Sequence, residues 1–189
     1  MEPEEAALVA RAAEGDAGAY GELYDSNVDR VFRHVRYRVG QVQEAEDITA
    51  QVFLNAWKSM HRYRPMGHAF AVWLLRIADN LVITSYRKRR QVNYAVPEEL
   101  TETIPDQASL GMLDRQVEHE TLRQALAQLN QEQQRVLVLR FVEDLPSAQV
   151  ATIMGKSDGA VRVLQYRALL ALRTILSQES PLVEARSGS

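Results

Sequence analysis

Arg162, Tyr166 and Arg167 follow Gly155-Lys156-Ser157-Asp158 at a spacing that suits recognition of duplex DNA. A guanidinium on the first turns of a helix can bond a guanine edge or a phosphate. Upstream, Val150-Ala151 supplies a small residue where two helices cross, and Gly155 can take the positive φ that a sharp turn needs. Ser157 is placed to cap the next helix, whose first amides then point at phosphate. With Val161, Leu164, Ala168 and Leu172 turned inward, Asp158, Arg162, Val163 and Tyr166 face outward, as in a helix-turn-helix. The same spacing also fits an αα-hairpin packed inside a bundle.

Phe70, Trp73, Arg76, Ile77 and Asn80 precede the basic run Arg87-Lys88-Arg89-Arg90. Aromatic rings beside cations suit single-stranded DNA, because bases stack on rings while cations hold phosphate. Helical spacing nevertheless assigns Phe70 and Trp73 mainly to a core. That leaves the segment from Met60 to His68, with Arg62, Tyr63 and Arg64, as the candidate base reader. The basic run reads equally well as a solvated helix end. His34, His61, His68 and His119 lack metal-ligand spacing and are expected at the surface or in loops. No phosphate-binding glycine loop, nucleophile elbow or cleft-forming carboxylate pair is present, so neither catalysis nor a cofactor or metal is expected.

The elements that position these residues are helical throughout. Asp16 is a plausible cap for a helix carrying Tyr20, Leu23, Val28, Val31 and Val35, with Gly40 as its stop. A second helix from near Glu44 turns Ile48, Val52, Phe53, Ala56, Trp57 and Met60 inward and Asp47, Gln51, Asn55 and Lys58 outward. Arg64-Pro65-Met66-Gly67 breaks the pattern, and a third helix runs from Phe70 into the basic cluster. Helices near Leu122–Leu129, Val136–Arg140, Ser147–Met154 and Asp158–Leu176 complete the chain. The expected fold is all-α, with two small helical domains at 1–92 and 117–178, a flexible linker at 93–116 and a flexible tail at 179–189. An extended linker of that length reaches at most ~80 Å at ~3.3 Å per residue.

The net charge of −3 argues against nucleic acid until its distribution is considered. Arg62, Arg64, Arg76 and the Arg87–Arg90 run form a basic block. Gln91 to Asp114 then holds no Lys or Arg but gathers Glu98, Glu99, Glu102, Asp106 and Asp114. Separate charge blocks imply separate surfaces with separate partners. The chain has no cysteine, its acidic start is unlike a secretory signal, and its most apolar stretch is too short and polar to span a bilayer. A cytoplasmic protein without membrane insertion is expected.

Three motifs in order resemble the bacterial RNA polymerase sigma factors of the extracytoplasmic-function group. Glu44-Ala45-Glu46-Asp47-Ile48 with Phe53-Leu54-Asn55-Ala56-Trp57 is similar to the family's clamp-binding helix. Phe70 … Trp73-Leu74-Leu75-Arg76-Ile77-Ala78 … Asn80 resembles its −10-reading helix. Arg135-Val136-Leu137-Val138-Leu139-Arg140 … Gly155 … Gly159-Ala160-Val161-Arg162 … Arg167-Ala168 resembles its −35-binding domain. The resemblance implies core polymerase, promoter DNA and an anti-sigma factor as partners. It implies polymerase binding by Glu46, Asp47, Gln51 and Asn55. It assigns −10 DNA to Arg62, Tyr63, Arg64, His68, Arg76, Asn80, Arg87, Lys88 and Arg90. It assigns −35 DNA to Lys156, Ser157, Asp158, Arg162, Tyr166 and Arg167. The chain departs from the pattern at Ala50-Gln51, where Gln-Glu is usual, at Thr84 in place of an Asp, and at Lys156 in place of an apolar residue. Leu164 and Gln165 reverse the common polar-then-apolar order.

Overall fold

The computed structural model describes residues 2–64, 69–93 and 113–184, with side chains at 2–64, 69–89 and 120–178. It is all-α among these residues and divides into two compact units, 1–101 and 102–189. The expected linker falls largely outside the described residues, as does the tail beyond Glu184.

The first unit contains α1 (Pro3–Ala13), α2 (Ala17–Asp25), α3 (Val28–Arg36), α4 (Val42–Ser59), a 3-10 turn (Met60–Arg62) and α5 (Phe70–Asn93). Pro3 opens α1 where its missing amide costs nothing, and Glu4 and Glu5 complement the helix dipole. This helix escapes notice in the acidic start of the sequence, yet it buries Val9 and Ala12. Asp16 caps α2 by accepting from the Ala19 amide at 3.0 Å and also binds Arg11 at 2.7 Å. These two contacts, the backbone amide first, hold its carboxyl below the usual carboxylate range.

The single helix expected between Asp16 and Gly40 is two. Ser26 Oγ donates to the Glu22 carbonyl, and the buried Asn27 amide donates to the Leu23 carbonyl at 2.8 Å. Side chains that satisfy last-turn carbonyls compete with helix continuation, so the chain turns at 26–27. The turn lets α3 pack against both α4 and α5.

The expectation that His34 lies at the surface or in a loop is overturned. His34 is fully buried, as are Arg38 and Asp79. Arg38 Nη1 donates to Asp79 Oδ1 at 2.5 Å, and His34 Nε2 lies 3.7 Å from the same oxygen. Its histidine spacing alone carried no signal, because the carboxylate that accompanies it is 45 residues away on α5.

On α4, Ile48, Val52, Phe53 and Ala56 are buried together with Met60 beyond its end, as the inner stripe requires. Trp57 instead stands at the edge, 37% exposed, with its ring 4.8 Å from Tyr20. Tyr20 donates its hydroxyl to the Phe53 carbonyl at 2.6 Å, and burial pushes its pKa up to about 12. On α5, Phe70, Leu74, Ala78 and Val82 form a fully buried ridge at four-residue steps.

The second unit contains α6 (Leu113–Ala127), α7 (Gln131–Leu137), a π-helical turn (Val138–Val142), α8 (Ser147–Met154) and α9 (Asp158–Glu184). Asn130 and Gln133 form a reciprocal capping box at the start of α7. Gly155 ends α8 in the left-handed conformation at φ 65°, the backbone state that a side chain disfavours. Val136, Val138, Leu139, Val150, Val161 and Ala168 are fully buried. The buried Arg135 donates from Nη2 to the Ile153 carbonyl at 3.0 Å, tying α7 to the end of α8. The last helix runs to Glu184, past the expected start of the tail.

Candidate nucleic-acid and polymerase interfaces

The inner stripe of α4 fixes which residues its other face presents. Glu46, Asp47 and Gln51 are exposed and Asn55 is half-buried. Gln43 donates to Asp47 at 3.4 Å and Gln51 donates to Asn55 at 2.8 Å, each one helical turn apart. Leu54, 54% exposed, stands on the same side of the helix as Gln51 and Trp57. The polar face therefore has an apolar part that the inward-outward division of the sequence missed. An apolar residue three after Gln51 and three before Trp57 was the available signal.

The α5 ridge likewise leaves Arg76, Asn80, Thr84 and Arg87 exposed at three- and four-residue steps, which puts them on one face. Lys88 is also exposed. Arg89 is not equivalent to its neighbours, because it pairs with Glu44 on α4 and lies 5.9 Å from the Tyr86 ring centroid. Glu44 also accepts from Ser85 at 2.5 Å, so this end of α5 is tied to the first turns of α4. The side chain of Arg90 lies outside the described residues.

Arg62 and Arg64 are exposed beside the 3-10 turn, with Arg62 Nε donating to His61 Nε2 at 3.1 Å and Arg64 donating to the Tyr63 carbonyl at 3.1 Å. Tyr63 is half-buried, its ring 4.5 Å from Trp73 and 5.6 Å edge-on from Phe70. Burial, and to a lesser degree the nearby Glu5, raises its pKa. Glu5 also accepts the Phe70 amide at 3.2 Å, so α1 caps α5 across 65 residues of sequence. Residues 65–68, including His68, lie outside the described residues.

In the second unit, α8, the Gly155 turn and α9 adopt the helix-turn-helix arrangement. Ser157 Oγ accepts the Ala160 amide at 3.2 Å, the expected cap. Val161 and Ala168 are buried, Leu164 and Leu172 are partly buried, and Arg162, Val163, Tyr166 and Arg167 are exposed. Gln165 is held inward by Arg140 Nε at 3.0 Å. Two cations on this face already have carboxylate partners. Arg162 pairs with Asp158 at 2.7 Å, one turn back, and Lys156 pairs with Glu132 at 2.8 Å. Glu132 sits in the first turn of α7, and no local pattern in the sequence links it to Lys156.

No group of three or more His, Asp or Glu among the described residues is placed to hold a metal. No described helix is long and apolar enough to cross a membrane.

Residues 23–92 match Sigma-70 region 2, and residues 119–172 match Sigma-70 region 4. The chain is 32% identical over 176 residues to the ECF RNA polymerase sigma factor SigD of Mycobacterium tuberculosis, covering 88% of this chain and 81% of SigD. The chain belongs to the extracytoplasmic-function sigma factors. It is 35% identical over 174 residues to another of them, BldN of Streptomyces coelicolor, covering 92% of this chain and 66% of BldN. The fold agrees with that of the sigma factor RpoE from Bartonella quintana, solved in complex with the anti-sigma factor NepR. The TM-score is 0.66 at 22% identity, covering 84% of this chain and 96% of that one. This is a family of promoter-specific initiation subunits of RNA polymerase, not of catalysts. Region 2 corresponds to the unit that carries α4 and α5, and region 4 to the unit that carries the helix-turn-helix.

Proposed function

We propose that this sigma factor acts in the cytoplasm by docking on core RNA polymerase through the outer face of α4. Glu46, Asp47, Gln51 and Asn55 supply polar contacts, and Leu54 supplies the apolar contact among them. The 3-10 turn and the exposed face of α5 hold the melted −10 strand. Arg62, Arg64, Arg76, Arg87 and Lys88 take phosphate, with Arg90 continuing the series. Asn80 and the partly exposed rings of Tyr63 and Trp73, with His68 in the adjoining segment, receive an unpaired base. Capture of a flipped base offsets the few kcal/mol that unstacking costs, so strand opening is driven by binding. The second unit reads −35 duplex DNA with Arg162 and Tyr166 at base edges. Ser157, Asp158 and Arg167 position the helix, and Lys156 is a cation held in reserve.

The single observation that carries this reading is the α8–α9 helix-turn-helix. It presents Arg162 and Tyr166 outward from a buried Val161–Ala168 ridge, in the segment that matches Sigma-70 region 4. The complex of RpoE with NepR supports an anti-sigma factor as a further partner. Run-off transcription with purified core enzyme over a promoter library tests the whole. Transcripts from a defined promoter are expected with the wild-type chain and a loss of start-site choice with Arg162→Ala. No chain-dependent transcript from any promoter would refute it.

A further inference from the structure

We propose that Glu132 is a brake on the −35 face: it holds Lys156 in an ion pair and so withholds one phosphate contact from DNA. The inference rests on the reading of α9 as the DNA-facing helix. Lys156 occupies the turn between α8 and α9, one residue before the Ser157 cap, where the first amides of α9 already favour an anion. A lysine there would ordinarily be an additional phosphate ligand. Its Nζ instead lies 2.8 Å from Glu132 Oε2, and its side chain is 31% exposed, against 53% for Glu132. The more exposed partner is thus the carboxylate, which meets an approaching phosphate with like charge. Arg162 shows the same device in a local form, since Asp158 precedes it by one turn at 2.7 Å. The Glu132–Lys156 pair differs in joining two elements, so it also fixes the turn against the start of α7.

The physical consequence concerns affinity common to all sequences. Phosphate contacts carry nearly all non-specific binding, and each adds about 0.9 to the slope of log K against log salt. A cation neutralised by its own carboxylate releases no counterion when DNA arrives. Removal of the carboxylate's charge therefore adds one contact. At 0.1 M salt that corresponds to roughly 5–10-fold tighter binding of any duplex. A weak −35 face leaves promoter choice to the base contacts of Arg162 and Tyr166, because less of the affinity is shared with random DNA.

The test uses the full chain assembled with core polymerase, on a −35 duplex and on a scrambled duplex across a salt series. Glu132→Gln is nearly isosteric, and its unfolding midpoint checks that α7 is retained. It is expected to tighten binding to both duplexes and to steepen the salt slope by about 0.9. The double variant Glu132→Gln/Lys156→Ala is expected to lose both gains, because the released lysine is their source. Coincident slopes for Glu132→Gln and wild type, with −35 preference intact in both, would overturn the brake and leave the −35 reading standing. A gain in slope retained by the double variant would overturn it as well, since Lys156 would not be the cation released. A wild-type holoenzyme that binds the two duplexes equally would overturn both readings.

Discussion

Asp79→Ala should destabilise the first unit far more than a surface substitution, because it strands a buried guanidinium. Arg38 and Asp79 side chains are both fully buried and bonded at 2.5 Å, linking the segment after α3 to the middle of α5. The Arg38 carbonyl additionally accepts from the Tyr86 hydroxyl, so the same residue grips α5 twice. Breaking a buried pair by removing one partner costs ~3–5 kcal/mol, because the remaining charge cannot regain its water. At a urea dependence of about 1.5 kcal/mol per M, the unfolding midpoint should fall by roughly 2–3 M. Since a domain of this size is stable by only ~5–15 kcal/mol, much of the α5 surface would be lost with it. The double variant Arg38→Met/Asp79→Leu removes both charges and should recover to within about 1 kcal/mol of wild type. Urea unfolding followed by circular dichroism checks both, with tryptophan fluorescence reporting the first unit. A cost below about 1 kcal/mol for Asp79→Ala would refute the reasoning, since Arg38 would then have an alternative partner or water.

Asp47→Arg should weaken binding to core polymerase by more than the ~0.2–1 kcal/mol of an exposed ion pair, with little change in stability. Asp47 is exposed and accepts a 3.4 Å bond from Gln43 among the described residues; unchanged affinity in a pull-down titration would remove this face from the interface. Arg162→Ala should cost ~1–3 kcal/mol of −35 recognition and relax preference at one base position. Arg173, exposed on α9 about three turns beyond Arg162, lies too far along the helix to reach the same base edges, so Arg173→Ala should weaken all sequences alike. Binding to single-base −35 variants at fixed salt separates them, and uniform weakening by Arg162→Ala would make it a phosphate contact. Tyr20 contributes a pH dependence of predictable sign. Its pKa is raised from 10.0 to about 12 in the folded chain, so its stabilisation is full below pH 10 and is lost as pH rises toward 12. Tyr20→Phe, which also loses the bond to the Phe53 carbonyl, should show a flatter decline in unfolding midpoint across that window.

Local rules made much of this protein readable from its residues. The 3.6-residue spacing of Ile48, Val52, Phe53 and Ala56, and of Phe70, Leu74, Ala78 and Val82, determined two helices and their buried sides. Once those sides were known, Asp47, Gln51, Arg76 and Asn80 had to face outward. Gly155 and Ser157 punctuated the turn before α9, and Val161 and Ala168 oriented its first turns. Each inference needed only residues within a few positions of one another. The break at Asn27 and the whole of α1 were harder, because a side chain's choice between solvent and a carbonyl depends on burial. Tertiary structure alone decided the charge partnerships: His34 and Arg38 with Asp79, Glu44 with Arg89, Arg140 with Gln165, and Glu132 with Lys156. Apolar burial follows from periodicity, since any neighbouring helix can cover an apolar stripe. An ion pair or a side-chain hydrogen bond requires one particular partner within a few ångströms, and that partner lies 24 to 45 residues away along this chain.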